Sequence, residues 1–227
     1  MLQVVNVCKT FESPSGETIT VLKDICFSVK RGEFIALLGP SGCGKTTLLN
    51  IIGGLLKSDC GDVLLANMRL SEMSARQLDE FRNRYIGFIF QGTQLIQSVD
   101  ALDNVLLPAM CSRTMKPSLK GFRNKASRLL ADLGLEERMN YLPHQLSIGQ
   151  NRRVAIARAL INDPLMILAD EPTSDLDPPR AKQIISILQA LSTDGRILIA
   201  ATHDMKVAEA AGHCYEFRDS TLVNENS

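Results

Sequence analysis

Three short apolar runs in this sequence each end in residues that can act on a phosphate anhydride. Phe34 to Leu38 runs into Gly39-Pro40-Ser41-Gly42-Cys43-Gly44-Lys45-Thr46, Leu165 to Ala169 into Asp170-Glu171, and Ile197 to Thr202 into His203. Runs of this length and composition read as buried parallel strands. Ligands of an open α/β sheet bind beyond the carboxyl ends of its strands, so the glycine-rich loop, the carboxylate pair and the histidine should meet in one crevice. The chemistry open to that set is hydrolysis of ATP.

The loop fits the phosphate-binding pattern Gly-x-x-x-x-Gly-Lys-Thr in full, with a strand expected before it and a helix after it. Gly42 and Gly44 let backbone N–H groups turn inward around an anion, the helix N-terminus adds partial positive charge, and Lys45 neutralises the β and γ phosphates. Thr46 offers its hydroxyl to magnesium, and Thr47 follows it. The bland alternative is a glycine-rich turn that starts an ordinary helix.

Asp170 ends its strand where a partner to the magnesium is needed, and Glu171 stands next to it as a general base for the attacking water. An apolar strand ending in Asp-Glu can also be purely structural; the upstream loop favours the catalytic reading. His203 follows a buried strand where a neutral imidazole could touch the γ-phosphate or orient the water, the alternative being a core histidine with its hydrogen bonds satisfied. Ser147-Ile148-Gly149-Gln150 reads as a capping box at the start of a helix, and such a helix start can also receive a phosphate presented from outside.

With 25 basic and 25 acidic residues among 227, the net charge is zero, so nothing favours a nucleic-acid or anionic-lipid partner. Phosphate binding must then be local. Met1 to Thr10 lack a basic segment followed by an apolar core, and no apolar stretch reaches ~18 residues, so neither a leader nor a membrane span is expected. Six scattered cysteines without a CxxC pair argue against zinc or a disulfide framework and for a reducing cytoplasm.

The elements that must position these groups follow from periodicity. Extended runs are expected at Leu2 to Cys8, Thr18 to Leu22, Ile25 to Val29 and Val63 to Leu65, with helices over Lys45 to Leu56 and Ser74 to Arg84 and a further strand at Ile86 to Phe90. From Gly92 to Leu146 the chain turns helical and more polar, with Phe122, Ala126, Leu129, Leu130 and Leu133 as one apolar stripe. After Ser147 helix and strand alternate again. Gly92 to Met110, rich in Leu, Ile, Val and Met, is expected to line a groove for a short partner helix, with Leu95 at its surface.

In order and register, Gly39 to Thr46, Gln91, Leu146 to Gln150, Asp170-Glu171, Ser174-Asp175-Leu176-Asp177 and His203 resemble the nucleotide-binding subunit of ABC transporters, over roughly Leu2 to Leu222. The resemblance implies an α/β P-loop NTPase of ABC type. It has a mostly parallel core sheet, an N-terminal antiparallel β subdomain and a helical subdomain. Residues 1–227 would form one ABC ATPase domain, with 1–91 and 147–227 as the core with its β subdomain and 92–146 as the helical part.

It also implies roles. Gly39, Pro40, Ser41, Gly42, Cys43, Gly44, Lys45, Thr46 and Thr47 would hold the phosphates, Gln91 would contact magnesium and sense the permease, and Phe11 would stack on adenine unless it is a sheet-core aromatic. Ser147, Gly149 and Gln150 would close over ATP held by a second copy. Asp170 would serve the metal, Glu171 would be the base, Asp175 would cross the dimer and His203 would act as the switch histidine. Implied cofactors are ATP and Mg2+; implied partners are a second copy and transmembrane permease subunits, at the inner face of the cell membrane. Leu70-Ser71, Phe81-Arg82-Asn83, Ile86 to Gln91 and Ala101 to Val105 resemble the branch of lipoprotein-releasing and macrolide-efflux ATPases. Two departures stand out: Ile148 replaces the first signature glycine, and Thr93 to Val99 replaces an aromatic or Leu-rich segment with Pro. Two rivals remain open: a soluble ABC-type ATPase acting on DNA or ribosomes, and a regulator that only signals through a membrane partner.

Overall fold

The computed structural model describes residues 1–111 and 119–224; the stretch 112–118 of the expected helical segment lies outside them. The chain opens with strands β1 (Leu2–Glu12), β2 (Thr18–Val29) and β3 (Phe34–Leu38), then helix α1 (Lys45–Ile52), β4 (Cys60–Leu65) and β5 (Met68–Arg69). Helix α2 (Ala75–Tyr85) leads directly into β6 (Ile86–Ile89), and α3 (Ala101–Met110), α4 (Leu119–Asp132) and α5 (Ile148–Leu160) follow. The remainder alternates: β7 (Met166–Asp170), α6 (Pro178–Thr193), β8 (Ile197–Thr202), α7 (Met205–Ala210), β9 (His213–Arg218) and β10 (Thr221–Asn224).

Two sheets result. One is antiparallel, ordered β2-β1-β4-β5; the other is ordered β10-β9-β3-β8-β7-β6 and parallel except for the terminal β9–β10 hairpin. The parallel strands are buried on both faces, which is why they read as unbroken apolar runs. Side chains alternate across the sheet. Ile35, Leu37, Met166, Leu168, Ile197 and Ile199 face α1 and the antiparallel sheet, whereas Ile167, Ala169, Leu198 and Ala200 pack with Ile156, Ile184 and Leu188 of α5 and α6. A separate apolar cluster joins α3, α4 and α5, with Ala126 and Leu130 of the expected stripe fully buried in it.

The expected strands Thr18 to Leu22 and Ile25 to Val29 are one strand, because Asp24 takes a left-handed φ of 48° at a register shift and lets the pairing continue. The expectation of no disulfide is also corrected: Cys8 and Cys60 are bonded. The β1–β4 register sets them opposite each other with Cα atoms 5.1 Å apart, well within bridging range. Their separation of 52 residues hid the pairing in the sequence. Next to the bridge, Asp59 accepts from Lys9 Nζ at 2.6 Å and from the N–H and hydroxyl of Thr10 at 2.7 and 2.9 Å. Those bonds, the Lys9 one foremost, hold the Asp59 carboxyl down at about 2.

Closing a loop of that length restricts the unfolded chain, so Cys8→Ser should cost about 2–4 kcal/mol in non-reducing buffer. The urea midpoint measured with and without a reductant checks this. A midpoint indifferent to both reductant and mutation would mean that the two sulfurs remain thiols in solution.

Candidate active site

The parallel register brings the chemistry to one level. Leu38 pairs with Thr202 and Asp170 with Ala201, so the glycine-rich loop, His203 and the Asp170-Glu171 pair all leave the same sheet edge. Gly42 (φ 82°) and Gly44 (φ 112°) lie in the left-handed region, which glycine enters at little cost, and no N-cap side chain bonds to the first turn of α1. The first amides of α1 are thus left for an anion.

Lys45 is buried, and its Nζ donates to the carbonyls of Gly39 at 2.7 Å and Pro40 at 2.9 Å. The loop is wrapped around its own ammonium. The same nitrogen lies 4.0 Å from Glu171 Oε1. One residue on, the Thr46 hydroxyl donates to Asp170 Oδ2 at 2.9 Å, a contact between residues 124 apart in sequence.

Asp170 Oδ1 is buried and has no hydrogen-bond partner among the described residues. Burial pushes the Asp170 carboxyl above the usual carboxylate range; the Thr46 hydrogen bond opposes this, the Glu171 charge adds to it and Lys45 opposes it. Glu171 has a left-handed φ of 45° and is held at both oxygens: Oε1 lies 3.0 Å from His203 Nδ1, and Oε2 accepts from the Thr202 hydroxyl at 3.3 Å. With Glu171 ionised, His203 donates through Nδ1, leaving its other nitrogen for a ligand. The His203 side chain is 66% exposed, which rules out the core-histidine alternative. Thr46, Asp170 and Gln91 line a common cavity of about 330 Å³.

Residues 22–174 match the family model of the ABC transporter. The lipoprotein-releasing system ATP-binding protein LolD of Cytophaga hutchinsonii is 42% identical over 207 residues, covering 91% of this chain and 93% of the relative. This chain belongs to the ABC transporter family. The macrolide export ATP-binding/permease protein MacB of Bartonella henselae is 41% identical over 227 residues, 100% of this chain but 34% of that protein, so the chain spans about a third of such relatives. The dimeric post-hydrolysis structure of the ATP-binding cassette MJ0796, bound to ADP and Pi, superposes with a TM-score of 0.91 at 38% identity over 99% of this chain and 98% of that one.

Within this ABC family chain, the signature segment stands apart from the loop. Ser147 caps α5 in a closed box, its side chain accepting from Gln150 N at 3.3 Å while its own N–H donates to Gln150 Oε1 at 2.8 Å. Among the described residues, Ser147, Gly149 and Gln150 share no hydrogen bond with the phosphate loop, Asp170 or Glu171. Ile148 occupies the first helical position and is 55% exposed. Phe11 is 41% exposed, with Lys9 Nζ 5.4 Å from its ring centre, so it is not a sheet-core aromatic. Asp175 is exposed, with a left-handed φ of 62°.

Leu95 is the main misplacement. Instead of lining a surface groove it is 6% exposed and packs in the α3–α4–α5 cluster. Asn104, fully buried, fixes the turn behind it through bonds to the Ile96 N–H and to the carbonyls of Ile96, Val99 and Asp100. The open groove nearby, about 290 Å³, is lined instead by Leu55, Phe88, Phe90, Pro108 and Arg158. Sequence reasoning also passed over Arg152, which is buried between the segments carrying Gln91 and Asp175. Nothing in the sequence sets it apart from Arg153 and Arg158 of the same helix.

Proposed function

We propose that this chain is the ATP-hydrolysing motor of a membrane ABC complex, in which two copies close head to tail on ATP and separate after hydrolysis to move permease partners. The observation that carries this reading is the Thr46–Asp170 contact beside a Glu171 anchored by both Thr202 and His203. Residues 1–227 act as one ABC ATPase domain, with 92–146 as its helical part. Among the described residues no helix is long and apolar enough to cross a membrane, so the proposed position is at the inner face of the cell membrane, held there by the permease.

The backbone amides of Gly39 to Thr47 and the Lys45 ammonium receive the phosphates, with Phe11 against the base. Thr46, Asp170 and Gln91 would hold Mg2+: all three offer the hard oxygen atoms that this ion prefers, and the unpartnered Oδ1 of Asp170 is a free acceptor for it. Bound there, the ion would neutralise charge developing on the transferred phosphoryl group. Glu171 accepts the proton of the attacking water, and Thr202 and His203 fix its two oxygens. Ser147, Gly149 and Gln150 serve the ATP of the second copy, which fits their lack of any bond to their own loop. Asp175 reaches across the dimer.

The groove at Leu55, Phe88 and Pro108 is the proposed seat of a short permease helix. Tagging the full chain, extracting it in mild detergent and identifying what co-purifies tests the partner: a polytopic membrane protein supports the reading, and ribosomes or DNA in its place would overturn it.

Ile148 gives this motor a distinct expected property. Its exposed branched side chain stands where a phosphate must approach the backbone closely, so closure around ATP should be impaired but not abolished, because the Ser147 cap and the Gly149 N–H remain. Ile148→Gly should strengthen ATP-driven dimerisation or raise basal hydrolysis of the isolated chain. If neither changes, or both fall while the protein stays folded, Ile148 packs against the second copy and the steric account is wrong.

A further inference from the structure

We propose that Arg152 is a positioning residue that locks the Gln91 segment and the Glu171–Asp175 segment to helix α5, so that the three move as one unit. The inference rests on the function proposed above, which makes those segments parts of one catalytic cycle.

Arg152 is 1% exposed. Its Nη1 donates to the Phe90 carbonyl at 3.1 Å, the last backbone group before Gln91. Its Nη2 donates to the Ser174 carbonyl at 3.3 Å and to the Ser174 hydroxyl at 3.0 Å. That hydroxyl passes the connection on, donating in turn to the Glu171 carbonyl at 2.9 Å. One guanidinium therefore holds the backbone of two separate segments, next to Gln91 on one and at Ser174 on the other.

The arrangement is costly, which argues that it does more than fill space. A buried cation without a directly paired carboxylate carries a desolvation penalty that an apolar side chain would avoid. Among the described residues, Nε finds no hydrogen-bond partner. The planar fork of Arg can span acceptors on two separate segments, whereas a Lys ammonium acts as a single point. Both bound segments also hold unusual backbone: Gln94 has a φ of 43° in one, and Glu171 and Asp175 have φ of 45° and 62° in the other. Such conformations persist only when the surroundings fix them.

The third member of the unit is the signature segment. Arg152 sits on α5 five residues after the Ser147 cap, about 7–8 Å along a stiff helix. A shift of the Ser147 end against the second copy's ATP therefore reaches Glu171 and Gln91 through this side chain. In the reverse direction, a partner that displaces the Gln91 segment pulls on Ser174.

The test uses the full chain, with Arg152→Lys and Ser174→Ala measured in parallel. For Arg152→Lys, kcat for ATP hydrolysis should drop about 10-fold or more, as expected when a reacting group is slightly misplaced. KM for ATP should stay within about twofold, because the phosphate loop is untouched. Ser174→Ala should shift the same parameter in the same direction by less. Independently of turnover, backbone amide exchange at Gln91–Gln94 and at Ser174–Leu176 should quicken together in Arg152→Lys.

Retained kcat in both variants would overturn the proposal, as would quickened exchange at only one of the two segments. If Arg152→Lys fails to fold, Ser174→Ala decides: a lowered kcat at constant KM supports the link, and a parental kcat refutes it. If the parent chain itself hydrolyses no ATP, the proposed function fails, and paired or unpaired exchange still decides the role of Arg152.

Discussion

Glu171→Gln is expected to keep ATP binding and to lose turnover by ~100-fold or more, the usual share of a general base. The substitution preserves shape and the acceptor that faces Thr202 or His203, but an amide cannot take a proton from water. The wild-type carboxylate is well prepared for that task, with Thr202 on one oxygen, His203 on the other and the Lys45 ammonium 4.0 Å away. Phosphate release per mole of purified variant, alongside binding of a fluorescent ATP analogue, separates the two effects. Near-normal release would remove Glu171 from the mechanism and leave a water-activating role to another group in the crevice.

Lys45→Ala should act one step earlier, on binding. In the structure its ammonium donates to the Gly39 and Pro40 carbonyls, so the charge is held within the glycine-rich loop. A charge-assisted bond to phosphate is worth about 1.5–3 kcal/mol, so its removal should weaken ATP binding roughly 10- to 100-fold. Calorimetric titration with ATP checks the figure. The two variants should differ in kind: Glu171→Gln binds without turning over, whereas Lys45→Ala loses affinity for ATP itself. Equal ATP affinity in Lys45→Ala and parent would mean that the loop does not take the phosphates.

The parts of the site legible in the sequence are those coded locally. The glycine loop, the strand ending in Asp170-Glu171 and the strand before His203 each combine a buried parallel strand with a chemical residue at its end. The parallel register then does the rest, since it sets Leu38 against Thr202 and Asp170 against Ala201. The Ser147–Gln150 box was readable for the same reason, as its two bonds span only three residues.

Features that depend on long-range register were not readable. The face of Phe11 could not be read from simple alternation because β1 and β2 shift register between Val7 and Lys9 and again between Lys9 and Thr10, and each one-residue shift exchanges inside for outside. The Cys8–Cys60 bond depends on the same bulged strand. Leu95 looked like a surface residue because it follows Gln91 closely; only the Asn104 hydrogen bonds, which fold the chain back on itself, reveal that it turns into the helical core. Arg152 is not singled out by the sequence, because its acceptors, 62 and 22 residues away, are brought to it only by the fold.

The central claim is that two copies of this chain close on ATP through Lys45, Asp170 and Glu171 of one and Ser147 of the other. Light scattering on the purified Glu171→Gln protein, with magnesium present throughout, tests it most directly. With ATP the molar mass should rise from that of one chain to that of two, and with ADP, or after adding Lys45→Ala, it should remain that of one. A Glu171→Gln protein that binds ATP yet stays a single chain at every concentration would contradict the account.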